Sequence, residues 1–103
     1  DGDTCYVIYE GKKDKVRLLD LDTPEISNPQ CEKEYILGIE AREYINQLIS
    51  EGKRIEFETE YNRDFFGRIL SYIIVDGENV SKLMVSHSLG VLYDKNNKKD
   101  WCE

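Results

Sequence analysis

The sequence predicts an α+β fold, mainly β, with elements in the order β-β-α-β-β-α. Three observations carry that reading. Several short runs rich in β-branched and aromatic residues are separated by turn residues. One apolar stripe recurs at helical spacing. The whole fits in 103 residues, the length of one domain spanning 1–103.

Cys5–Tyr9 is the first strand and Val16–Leu21 the second. Gly11-Lys12-Lys13-Asp14 between them reads as the turn of a hairpin. A polar loop from about Thr23 to Lys33 holds both prolines, Pro24 and Pro29. From about Ile36 to Ser50, Ala41, Tyr44, Ile45, Leu48 and Ile49 fall at i, i+3, i+4, i+7 and i+8. That is one face of a helix, and Gly52 is placed to stop it. Arg54–Glu60 alternates apolar and charged residues as a strand does. Phe66–Val75 reads as a longer strand ending at the turn pair Asp76-Gly77. Asn79 is placed to cap a short helix over Val80–Ser88, Gly90 to close it, and Val91-Leu92-Tyr93 is a last extended piece. No apolar run approaches the roughly 20 residues of a membrane span.

Charge at first argues against a nucleic-acid partner. Fourteen Lys and Arg stand against 21 Asp and Glu, a net charge of −7, whereas a polyanion is bound by displacing its counterions with cations. Composition alone points to a protein-binding or metal-binding module. The three cysteines, Cys5, Cys31 and Cys102, form no C-x-x-C pair and give no sign of a zinc knuckle or a thioredoxin-type site. Cys5 sits in an apolar strand and reads as a small buried hydrophobe. Cys31 and Cys102 lie in polar stretches and bridge if the fold brings them together.

Two stretches concentrate chemistry. One is Asp1-Gly2-Asp3-Thr4, followed by Arg17 and by Asp22-Thr23-Pro24-Glu25; the other is Asp64-Phe65-Phe66-Gly67-Arg68. Asp3 and Asp22 flank the two ends of the predicted hairpin, where two converging carboxylates suit a hard cation such as Ca²⁺. Taken singly, each is as simply a turn aspartate. Arg17 lies in a strand with apolar residues on both faces, and Arg68 follows a glycine at the head of another. A buried guanidinium needs an anion, so the pair suits a phosphate clamp; internal ion pairs to nearby carboxylates are the alternative. Glu25, on a proline-stiffened loop, is a candidate general base or a solvated loop residue. His87, the single histidine, reads as surface or helix-cap structure, and no Ser-His-Asp or Cys-His arrangement is discernible.

Taken in order, Asp1-Gly2-Asp3-Thr4, Arg17-Leu18-Leu19, Asp22-Thr23-Pro24-Glu25 and Phe66-Gly67-Arg68 resemble the staphylococcal nuclease-like (thermonuclease) family. The likeness continues through Gly38-Ile39-Glu40-Ala41, Tyr72-Ile73-Ile74, Asp76-Gly77, Leu89-Gly90, Tyr93 and Asn96-Asn97. It implies an OB-type five-stranded barrel with packed helices. It also implies a Ca²⁺-dependent phosphodiesterase acting on single-stranded or frayed DNA and RNA, leaving a 3′-phosphate and a 5′-hydroxyl. By the same resemblance, Asp3 and Asp22 are carboxylate ligands of Ca²⁺ and Thr23 is a backbone-carbonyl ligand. Arg17 and Arg68 are phosphate clamps, Glu25 orients or deprotonates the attacking water, and Phe66, Leu70 and Tyr93 contact substrate. The competing reading is a catalytically inactive nuclease-like module that binds nucleic acid or protein.

Three departures stand out. Phe65-Phe66 replaces the Lys-Tyr often found before Gly-Arg, exchanging a cation and a hydroxyl for a stacking ring. Val91 stands where a second nucleotide-flanking tyrosine is usual. The strand that normally precedes Asp-Gly-Asp-Thr and the helix that follows Asn-Asn are missing, and the parent chain is expected to hold them. The resemblance also implies a monomer that is secreted or attached to the cell surface.

Overall fold

The computed structural model describes residues 2–60 and 62–103. Asp1, the first residue of the Asp-Gly-Asp-Thr motif, and Tyr61 lie outside the described residues. β1 (Thr4–Tyr9) and β2 (Lys12–Leu18) form an antiparallel hairpin, registered from Thr4 opposite Arg17 to Tyr9 opposite Lys12. The turn is Glu10-Gly11, with φ of 50° and 81°. It comes earlier than the expected Gly11–Asp14 because a two-residue hairpin needs left-handed backbone at both centres. Lys12, Lys13 and Asp14 are therefore strand residues.

The expected second strand, Val16–Leu21, is divided. Asp20 adopts a φ of 59°, which breaks the extended chain after Leu18. β3 (Leu21–Asp22) then leaves the main sheet and pairs antiparallel with β7 (Val91–Leu92). The break has a direct consequence: it turns Asp22 away from the line of β2 and hands it to a separate two-stranded unit.

β4 (Ile55–Thr59) and β5 (Ile69–Val75) complete the main sheet, in the order β1-β2-β5-β4, with β6 (Glu78–Asn79) added on β5. The β2–β5 pairing is parallel and sets Arg17 opposite Leu70. Every second residue of β5 is buried, from Ile69 to Val75. β5 starts at Ile69 rather than Phe66, since Gly67 turns at a φ of 80°. Among the described residues no pairing joins β1 to β4, and an apolar recess lined by Tyr6, Ile8, Ile49, Ile55 and Phe57 runs along residues of β1, β4 and the long helix that precedes β4.

α1 (Glu32–Glu51) begins four residues before the expected Ile36. Cys31 is its N-cap, accepting from the Glu34 N–H through Sγ at 3.4 Å. Glu32 and Glu34 place negative charge in the first turn, where the helix dipole favours it. At its other end Gly52 stops the helix in extended conformation, and a Cβ there would meet Val75 Cγ1 at 2.4 Å. Space, not left-handed backbone, calls for that glycine. α2 (Val80–Ser86) starts as expected at Asn79, whose side chain accepts from the Lys82 N–H, and His87 caps its other end with its ring against Tyr44.

The core draws Val16, Leu18, Leu21, Ala41, Ile45, Ile73, Val80 and Met84 into one fully buried cluster. Burying side chains of this size contributes roughly 1.5–3 kcal/mol each. Cys5 belongs to the same cluster, as its strand predicts, and burial pushes its thiol up to about 11. Cys31 and Cys102, 71 residues apart, are joined as a disulfide. No helix among the described residues is long and apolar enough to cross a membrane.

Candidate active site

The hairpin brings the first two site residues together. Because Thr4 pairs with Arg17, the ladder runs one step further and Leu18 N–H donates to the Asp3 carbonyl at 2.7 Å. The Arg17 guanidinium then lies 3.7 Å from the Asp3 carboxylate, both mostly shielded from solvent. Arg17 Nη1 also donates to the Leu18 carbonyl at 2.6 Å, and its guanidinium lies over the Tyr93 ring at 5.8 Å.

The parallel β2–β5 register brings the second arginine in. Arg68 stands just ahead of β5 and reaches across to Thr4, donating from Nη1 to Oγ1 at 2.7 Å. Thr4 Oγ1 in turn donates to Asp3 Oδ1 at 3.2 Å. A polar chain therefore runs Arg68–Thr4–Asp3–Arg17. On its far side Arg68 is held by Asp64, which accepts from its backbone N–H and from Nε. Partial burial pushes the Asp64 carboxyl upward, but the N–H bonds from Arg68 outweigh it and hold the group below the ordinary carboxylate range. Asp64, Arg17, Arg68, Leu70, Tyr93 and Asp20 line one groove of about 410 Å³.

Asp22, Thr23 and Glu25 come from the chain after the break at Asp20. β7 fixes Asp22 opposite Val91, and Gly90 lets the two strands close: a Cβ there would meet Leu21 Cδ1 at 2.6 Å. Burial pushes the Asp22 carboxyl above the ordinary carboxylate range; the Asp3 charge adds to this, while Lys98 and Arg17 oppose it. Thr23 is 1% exposed, and its buried hydroxyl has no hydrogen-bond partner. Glu25 lines a second recess of about 440 Å³ with Asn28, Gln30, Glu34 and Lys98. Its Oε1 lies 3.4 Å from Lys98 Nζ, and its backbone N–H donates to Glu34.

The structure thus gathers Arg17, Arg68, Leu70 and Tyr93 at one groove, with Asp3 against Arg17. Glu25 faces a separate recess. Phe66 is 76% exposed, with Arg68 at 5.4 Å over its ring. Among the described residues no group of three or more His, Cys, Asp or Glu side chains is assembled as a metal centre. The oxygen donors do fit a hard cation: Asp22 is a partly buried carboxylate that feels the like charge of Asp3, a conflict a cation relieves.

The sequence places Thr4 and Asp64 inside its two motifs without giving either a role, and it does not single out Glu34. Asp64 and Arg68 lie at i and i+4 around Gly67, a spacing that a tight loop closes. Glu34 is three residues after the N-cap, and placing the helix start correctly exposes it.

A family model described as staphylococcal nuclease homologue matches residues 15–102. That span takes in Arg17, Asp22, Thr23, Glu25, Arg68 and Tyr93; Asp3 precedes it. The chain is similar to endonuclease YncB of Bacillus subtilis (strain 168), with 41% identity over 95% of this chain and 48% of the relative. It is 38% identical to SPbeta prophage-derived endonuclease YokF of the same strain, over 95% of this chain and 34% of the relative. It is 29% identical to a thermonuclease of Staphylococcus hyicus, over 86% of this chain and 52% of that protein. The chain spans about half, or less, of the length of these relatives.

Proposed function

This chain belongs to the staphylococcal nuclease homologue family, and from that premise we propose that it is a Ca²⁺-dependent nuclease. It hydrolyses single-stranded or frayed DNA and RNA to 3′-phosphate and 5′-hydroxyl ends. The observation that carries this reading is the pair Arg17 and Arg68 lining one groove with Leu70 and Tyr93, the two arginines linked through Thr4 and Asp3. Each guanidinium is paired with a carboxylate, and two such forks in one groove suit the anionic oxygens of a phosphodiester.

In this reading Arg17 and Arg68 bind the non-bridging phosphate oxygens and stabilise the charge that grows as water attacks phosphorus. Glu25, which in this structure faces its own recess beside Lys98, would turn toward the groove and take the proton from the water as the new P–O bond forms. The bond from phosphorus to the 5′-oxygen breaks, Arg68 favours the charge that develops on that oxygen, and a proton from solvent water completes the 5′-hydroxyl. Asp3 and Asp22, with the Thr23 carbonyl, would hold the Ca²⁺. When bound, the ion neutralises phosphate charge and acts as a Lewis acid. Tyr93 and Phe66 offer rings to the bases, Phe66 being open enough to stack.

The reading extends to the whole chain as one OB-type barrel domain, a monomer, in a secreted or surface-attached protein. The Cys31–Cys102 disulfide supports the last point, since such bonds persist in oxidising surroundings.

Incubation with single-stranded DNA, in Ca²⁺ and then with a chelator, tests the proposal. Cleavage that the chelator stops, and that the Arg17→Ala/Glu25→Ala variant lacks, is the expected result. Binding without cleavage, indifferent to the chelator, would point instead to an inactive binding module.

A further inference from the structure

We propose that Glu34 is a positioning residue for Glu25, an inference that rests on the nuclease reading. Glu34 is only 4% exposed. A carboxylate that far from water is costly unless its oxygens are satisfied, and Glu34 meets the requirement through the loop before its own helix. Oε1 accepts from the Gln30 N–H at 2.8 Å, and Oε2 accepts from the Glu25 N–H at 3.2 Å.

That pattern is more than helix capping. A glutamate at this position ordinarily returns to the N–H of the N-cap residue. Here it reaches past the N-cap, Cys31, to Gln30, and nine residues back to the backbone of Glu25 itself. The two bonds grip both ends of the segment 25–30. A second contact presses the same segment on α1: a Cβ on Gly38 would lie 2.8 Å from Ile26 Cγ1, 3.0 Å from the Pro24 carbonyl and 3.2 Å from the Glu25 carbonyl. The first two turns of α1 therefore act as a template for the Glu25 backbone. Glu34 touches the Glu25 recess only at its edge, with both carboxylate oxygens engaged by backbone N–H groups, and works through the residue it holds. Displacing a reacting group by about 1 Å can cost about a hundredfold in rate.

The test compares Glu34→Ala and the nearly isosteric Glu34→Gln with the parent chain, alone and combined with Glu25→Ala. Cleavage of single-stranded DNA in Ca²⁺ is followed, with amide hydrogen exchange at Glu25 and Gln30 as a second readout. Glu34→Ala is expected to lower kcat by about a hundredfold with KM changed less than about twofold, and Glu34→Gln to lie between. The Glu25 amide should lose protection. In the Glu25→Ala background Glu34→Ala should cost nothing further, a result that general loosening of the fold does not give. If Glu34→Ala does not fold, Glu34→Gln carries both readouts. A kcat within about twofold of the parent in the folded variants, additive losses in the double variant, or undiminished Glu25 protection would each overturn the proposal. If the parent chain does not cleave at all, the nuclease reading falls, and amide exchange still decides whether Glu34 holds Glu25.

Discussion

Asp64 grips Arg68 twice, accepting from its backbone N–H at 2.8 Å and from Nε at 2.7 Å. This fixes the guanidinium from behind and leaves Nη1 for Thr4. Fixing an arginine before substrate arrives removes the reorganisation that a free side chain would need. Asp64→Asn keeps the loop's size and one acceptor oxygen but loses the charge. It should lower kcat/KM on single-stranded DNA by about ten- to a hundredfold, with the circular dichroism spectrum unchanged. Activity equal to the parent chain would mean that Arg68 is not held by Asp64 in solution.

The same pair makes a prediction about pH. The Asp64 carboxyl is held below its ordinary value of 3.8. A depressed folded value means that the pair's stabilisation is present at pH above the unfolded value and is lost as pH falls through the lower, folded one. Carboxyl NMR of the folded chain should show Asp64 still ionised at pH 3.8. A midpoint at or above that value would show that the bonds to Arg68 are not formed.

The strands and helices were legible where pattern and packing agree. The α1 stripe, the long strand β5 and the Asn79 cap are all present as their residues predict. What failed to show were events decided by one residue's backbone or by distant partners. Leu19-Asp20-Leu21 does not announce the left-handed Asp20 that divides the second strand, since one polar residue between leucines also fits the alternation of a continuous strand. Cys31 is an unusual N-cap, so the helix start was read four residues late and Glu34 fell outside it. The candidate site divides in the same way. Asp3, Arg17 and Arg68 stand out as charges among apolar neighbours. Thr4 matters only through a partner 64 residues away, a pairing written in the fold, whereas Asp64 meets Arg68 at a local spacing that depends on the turn at Gly67.

Asp22 predicts how the chain responds to a cation. Burial, first of all, disfavours its ionised form, and Asp3 adds to the cost. In the absence of metal, Asp22→Asn should therefore leave thermal stability equal or higher. With Ca²⁺ at a hundredfold excess over its Kd, the parent chain should gain about 2.7 kcal/mol and melt correspondingly higher, while the variant gains none. A Tm that Ca²⁺ raises equally in both would place the ion elsewhere.

The disulfide closes most of the chain into one loop. By the chain-entropy relation a cross-link between residues 71 apart contributes on the order of 4 kcal/mol. Its loss should lower Tm on the order of 15–20 °C in a protein this size. Cys31→Ser keeps a capping oxygen for α1, so it should cost no more than Cys102→Ser if the cross-link is what matters. Cys5, the free thiol, is held near 11 and stays protonated at pH 8. It should be unreactive to a thiol reagent at pH 8 in the folded chain and react on unfolding.

The net charge of −7 shapes the last prediction. An acidic surface does not prevent binding of a polyanion if cations are placed at the groove, but it limits how many counterions are released. Arg17 and Arg68 face the groove. Lys98 and Lys99, which line the recess that holds Glu25, are engaged, Lys98 with Glu25 and Lys99 over the Trp101 ring. Two neutralised phosphates on a single strand give a slope of log affinity against log salt of about −1.4. Affinity of the Glu25→Ala variant for oligothymidine, measured across salt concentrations, should follow that shallow line. A slope of about −2.8 or steeper requires four or more phosphate contacts. It would mean that Lys98 and Lys99 leave their partners to bind substrate, and that the acidic balance does not restrain the chain on its substrate.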